Sequence, residues 1–154
     1  MKLAIQNVRQ LWQTGRKKLS RRILHWKMRG QPEADILVAE RKLRGVEQFD
    51  KLQRADIVVV SFGKSGRTWL RVMISHLFRV KYGLPENAVL GFDNFHNLNN
   101  SVPKTFFTHD NYIKDYTGDP HSKAPFYNKR VILLARDPRD VAVSQFFQWK
   151  FRIK

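Results

Sequence analysis

Two short, uninterrupted apolar runs, Ile57-Val58-Val59-Val60 and Val131-Ile132-Leu133-Leu134, most constrain what this chain can fold into. Runs of this length without polar alternation are typical of strands buried on both faces. Each leads into a segment with helical features. After the first, Trp69, Leu70, Met73, Ile74 and Leu77 recur at helical spacing, and Gly83 with Pro85 supplies a stop. After the second, Asp137 suits an N-cap, Pro138 the first helical position and Asp140 the acid of a capping box. Thr105-Phe106-Phe107-Thr108 reads as a third strand, whereas 86–103 and 110–128, rich in Asn, Asp, Pro and Gly, read as loops. Alternation of this kind predicts an α/β fold, a parallel sheet with flanking helices.

Upstream, residues 1–29 read as a basic helical arm, with Ile5, Val8, Leu11, Trp12, Leu19, Ile23 and Trp26 near a helical period. Gly15 weakens its middle, and Gly30 with Pro32 ends it. Residues 33–52 form a second helical stretch, with Ile36, Leu37, Leu43, Val46 and Phe49 as its packing positions. The arm also concentrates charge. The chain has 29 Lys/Arg against 13 Asp/Glu, a net +16, and residues 1–30 hold nine of those cations and no acid. Such a field attracts nucleic acid, an anionic membrane or a phosphorylated cofactor without choosing among them. Two readings of the arm follow: a membrane-surface helix with interfacial Trp, and a helix packed on its own domain with a solvated basic face. The second is the expectation. No Cys is present, which excludes disulfides and thiolate metal sites. No apolar run is long enough to span a bilayer or to serve as a secretory signal, so the cytoplasm is the default location.

Ligands of open parallel sheets gather where strands give way to helices. Residues 61–68, Ser-Phe-Gly-Lys-Ser-Gly-Arg-Thr, stand at such a junction. Gly63 and Gly66 allow a tight turn and close approach of backbone amides to an anion, and the helix that follows adds unpaired N–H groups. Ser65 and Thr68 offer hydroxyls and Lys64 a full charge. The order is not that of the usual nucleotide loop, because Lys64 precedes Gly66. At the second junction, Arg136-Asp137-Pro138-Arg139-Asp140-Val141-Ala142-Val143-Ser144 offers an Arg and a Ser able to hold one phosphate between them.

The first loop, with Phe62, Lys64, Ser65, Gly66, Thr68 and Trp69, resembles the Y-P-K-S-G-T-T-W motif of the PAPS-dependent sulfotransferases. Gly63 stands where that family has Pro, and Arg67 where it has its first Thr, adding a phosphate or substrate contact. The second string is similar to the family's R-[ND]-P-[RK]-D-V-A-V-S. The resemblance covers about residues 56–152 and implies an incomplete P-loop-nucleotide-hydrolase-like three-layer sandwich. It divides the chain into a basic arm, 1–52, and the N-terminal part of a sulfotransferase domain, 53–154, ending before the family's Gly-rich C-terminal segment. It further implies that Ser65, Gly66, Thr68 and Trp69 bind the 5′-phosphosulfate and adenine of PAPS, beside Arg67 as this chain's own cofactor contact, and that Arg136 and Ser144 bind its 3′-phosphate. Trp69 also has a plainer reading, as an apolar anchor of its helix.

Sulfonate transfer to a hydroxyl needs a base and a cation at the leaving phosphate. A His, with an ordinary pKa of about 6.5, suits the first role and Lys64 the second. His109, ending the third strand, is the candidate base and looks like the His of the family's K-T-H motif, with Phe107 replacing its Lys. His96 is the runner-up, and His76 is read as packing. The acceptor implied is a small molecule, lipid or carbohydrate, with no metal and no nucleic acid; peripheral contact with an anionic membrane belongs to the alternative reading of the arm. Two rivals remain: another nucleotide-dependent, kinase-like transferase, which would need a magnesium-binding carboxylate, and a non-catalytic polyanion-binding module.

Overall fold

A computed structural model describes Gly15 and residues 18–152. Residues 18–27 are helical, followed by α1 (Glu33–Arg54), β1 (Ile57–Ser61), α2 (Arg67–Tyr82), α3 (Asn94–Leu98), β2 (Thr105–Thr108), α4 (Asn111–Thr117), a 3₁₀ turn (Ala124–Phe126), β3 (Arg130–Leu134) and α5 (Pro138–Arg152). The three strands are parallel in the order β2-β1-β3. The architecture is α/β with helices on both faces, as the alternation predicts.

Strand alternation sorts the core. Val58 and Phe106, in register, face α1 and α4 and pack with Leu52, Ala55 and Ile113. The next pair, Val59 and Phe107, belongs to the other face, where Phe107 packs against a cluster of Phe78, Leu84, Leu90, Phe95 and Val102 beneath α2 and α3. Gly45 lets α1 and α4 approach closely, because a Cβ there would overlap the Tyr112 carbonyl and the Tyr116 side chain. Arg41 pairs with Asp115 at 2.7 Å and Arg44 donates to the Tyr112 hydroxyl at 3.0 Å, binding the two helices together.

Several expectations change. Leu37 and Val46 of α1 are exposed, and Gly45 and Leu52 are its buried positions, because the face toward α4 runs through them. The two Asn-rich loops contain short helices that no apolar period marks. Asn94 accepts from the Gly91 amide and donates to the Val89 carbonyl, and Phe95 anchors α3 in the core. Ile113 does the same for α4. The second apolar run is a strand but is not buried: among the described residues β3 pairs only with β1, and Leu133 is 74% exposed. His76 is likewise exposed on α2 and not packed.

Candidate active site

Parallel register brings the carboxyl ends of all three strands to one edge. Ser61 stands opposite Leu134 of β3, and β2 ends at Thr108, opposite Val60. The loops leaving β1 and β3 therefore lie side by side, with His109 on the other flank of β1.

The loop after β1 turns through two left-handed residues, Lys64 (φ 65°) and Gly66 (φ 92°). Gly66 takes that conformation freely, whereas Lys64 carries a cost of order 1 kcal/mol that its surroundings must offset. Two bonds do so. Arg136 Nη1 donates to the Lys64 carbonyl at 3.3 Å, and Lys64 Nζ donates to Gln148 Oε1 at 2.7 Å. Gln148 lies one turn beyond Ser144 on the less exposed side of α5, which also carries buried Val141. The two motifs are thus joined through the main chain of one and the side chain of the other. Nothing in the string itself marks Gln148 except its spacing of four from Ser144.

The helix termini are built as their residues dictate. Asp137 Oδ1 accepts from the Arg139 amide at 2.8 Å, the expected N-cap bond, and its carboxylate also grips the Arg139 guanidinium. These bonds hold Asp137 below the usual carboxylate range and raise Arg139. Asp140 meets Arg136 Nε at 3.5 Å. Both acids of the motif are therefore engaged with arginines.

His109 is half-buried, and its Nδ1 lies 2.6 Å from the Ser61 carbonyl oxygen. A carbonyl only accepts, so Nδ1 carries a hydrogen, and in the neutral ring the lone pair is on Nε2. The flanking backbone is fixed as well. Thr108 Oγ1 donates to Gln48 Oε1 at 2.9 Å and accepts from the Asp110 amide at 2.9 Å. Asp110, buried and left-handed at φ 64°, is paired with Lys114 at 3.4 Å and Lys123 at 3.7 Å. His96 sits elsewhere: it bonds the Val102 carbonyl at 2.8 Å and lines a cleft with Asp56 and Arg130, at the amino ends of the strands. Of the two His candidates, only His109 shares the edge with Lys64.

A family model for the sulfotransferase domain matches residues 54–152. The chain belongs to the sulfotransferase-domain family. No curated protein and no solved structure matches it closely enough to add a relative. Family membership makes the chain a sulfonate-transferring domain, in a family that generally takes PAPS as donor and small molecules as acceptors.

The residues of this sulfotransferase domain suit an anionic donor. Ser65 Oγ is buried with no hydrogen-bond partner. Arg67, half-buried at the start of α2, is pushed below its ordinary pKa, chiefly by burial and then by the neighbouring Arg71 cation. Arg71 in turn lies over the Phe107 ring, 4.5 Å from its centroid. Among the described residues no carboxylate pairs with either arginine, so an anion would relieve both. Trp69 is 77% exposed, which removes its reading as an anchor of α2. Among the described residues, no three of His, Asp and Glu cluster closely enough to hold a metal ion, and no helix is long and apolar enough to cross a membrane.

Proposed function

We propose that this site transfers a sulfonate group from PAPS to the hydroxyl or amine of a small-molecule, lipid or carbohydrate acceptor, with His109 as base and Lys64 as the cation at the leaving phosphate. The observation that carries the reading is the joining of Lys64 to the Arg136 loop at the same sheet edge as a tautomer-fixed His109. When bound, PAPS supplies an activated sulfonate on a bisphosphate leaving group. Ser65, the Gly66–Thr68 amides and the Arg67 guanidinium would hold its 5′ side, Arg136 and Ser144 its 3′-phosphate, and exposed Trp69 its adenine.

The chain's own residues then have distinct work. His109, held through Nδ1, presents Nε2 to take the acceptor's proton as its oxygen or nitrogen attacks. Lys64 is held by a neutral amide and not by a carboxylate, so its full charge stays available to a developing phosphate charge. Arg136 supplies a planar fork of donors, only part of which is used by the Lys64 carbonyl and Asp140.

The test is transfer of label from ³⁵S-PAPS to a panel of phenol, sugar and amine acceptors, with and without a chelator. Labelled product, unaffected by the chelator, is expected. No transfer from PAPS together with magnesium-dependent phosphoryl transfer from ATP would replace this reading with the kinase-like one.

A further inference from the structure

The helical residues 18–27 turn back on α1 through Met28–Gln31, where the Gln31 amide donates to the Met28 carbonyl at 3.0 Å and Gly30 is left-handed. Which side of this helix faces the body distinguishes the two readings of the basic arm. Ser20, Arg21, Leu24 and Met28 are its half-buried positions, and His25 meets Glu40 of α1 at 2.7 Å. The apolar residues Leu19, Ile23 and Trp26 lie on the outer side, 57%, 44% and 74% exposed. Their spacing of four and then three places them in one stripe. Exposed Lys18, Arg22, Lys27 and Arg29 border it, and no acid occurs before Glu33.

An ordinary surface helix turns one apolar side to the core and only polar residues to water; this one turns Leu24 and Met28 to the body and carries a second apolar stripe outward. Single exposed aliphatic residues need no explanation, but a stripe of Leu, Ile and Trp fringed only by cations does. We infer that residues 18–29 dock the protein on an anionic lipid surface, Leu19, Ile23 and Trp26 entering the headgroup boundary while the bordering cations meet the lipid charge. A bilayer interface takes both features at once. Nucleic acid would use the cations and leave Leu19 and Ile23 in water, so charge complementarity and the aliphatic stripe together favour lipid. The sequence before this helix has the same character, with Ile5, Val8, Leu11 and Trp12 among Lys2, Arg9, Arg16 and Lys17. Nothing in this surface depends on Lys64 or His109.

Vesicle flotation tests the assignment, using phosphatidylcholine alone and phosphatidylcholine with one third phosphatidylglycerol. The protein should float with the anionic vesicles only. The triple variant Leu19→Ser, Ile23→Ser, Trp26→Ser should bind them at least about tenfold more weakly, with an unchanged circular dichroism melt, because all three side chains are exposed. Should the triple variant melt early, Trp26→Ser alone must still weaken binding measurably. Three results would overturn the inference: no binding to anionic vesicles, binding unchanged by the apolar substitutions, or preferential binding to a DNA duplex that those substitutions leave intact.

Discussion

Arg136, which opens the string after β3, donates to the main-chain carbonyl of Lys64 in the loop after β1, 3.3 Å away. The contact is with the residue whose left-handed backbone shapes the first loop. On the proposed function, a substitution at Arg136 acts on both halves of the site: it takes away the proposed 3′-phosphate donor and loosens the turn that carries the Lys64 side chain.

Gln148 separates these two effects. It touches Lys64 Nζ at 2.7 Å and belongs to neither phosphate motif. Gln148→Ala should lower kcat about 10–100-fold while leaving adenosine 3′,5′-bisphosphate affinity within about threefold, since the loss is one hydrogen bond of about 1.5–3 kcal/mol to a charged group. Lys64→Ala should abolish turnover. Steady-state kinetics alongside calorimetry would check both, and a Gln148→Ala enzyme with wild-type kcat would remove Gln148 from the positioning of Lys64.

For His109, the informative replacement is Asn, whose side-chain amide can still donate to the Ser61 carbonyl but cannot act as a base. His109→Asn should keep the thermal midpoint and lose about 10²–10⁴ in kcat. Wild-type turnover in this variant would take His109 out of the mechanism.

Trp69 offers a similar separation of stability from binding. Because its ring is exposed, Trp69→Ala should leave the melting temperature unchanged. Loss of a stacking face should weaken nucleotide binding by about 1–3 kcal/mol. A lowered melting temperature with intact binding would instead restore the anchoring role.

Gly45 should behave in the opposite way. A methyl group there meets the Tyr112 carbonyl and Tyr116, both in a helix held by ion pair and hydrogen bond. Gly45→Ala should cost about 1–3 kcal/mol by denaturant unfolding, the usual range for overpacking. An unchanged midpoint would show that α1 and α4 are not tightly apposed.

Acid should release the N-terminal helix. The His25 hydrogen bond, with Arg44 and His25 charge, holds Glu40 below its ordinary pKa against the opposing effect of burial. A carboxylate lowered on folding contributes stability that is full above the ordinary Glu range and lost as pH falls through the lowered value. Hydrogen exchange of residues 18–29 should therefore accelerate relative to the sheet as pH drops below about 4.3. Glu40→Gln should remove that dependence.

Much of this was legible in the chain. The apolar runs marked β1 and β3, and parallel pairing of those runs already requires their following loops to share an edge. His109 was legible through its place at the end of β2. What local sequence did not carry were relationships set by tertiary distance. The Lys64–Gln148 bond depends on how close α5 comes to the first loop, a quantity absent from either motif. Burial of β3 failed as an expectation because an apolar run reports what a strand can bury, not what covers it. Helices α3 and α4 are short and polar, held by Phe95, Ile113 and the Asn94 amide, so periodicity had nothing to register. The arm's apolar residues show a period but not its direction, and burial of Ser20, Arg21, Leu24 and Met28 with the His25–Glu40 contact reveals which side faces the body.

On the proposed function, the two loops form one bisphosphate site. Isothermal titration of adenosine 3′,5′-bisphosphate into the protein and into Arg136→Ala tests it most directly. A single site in the wild type, weakened about 10–100-fold in the variant through loss of charge-assisted bonds, is the predicted result. Absence of binding, or equal affinity in the two proteins, would contradict it.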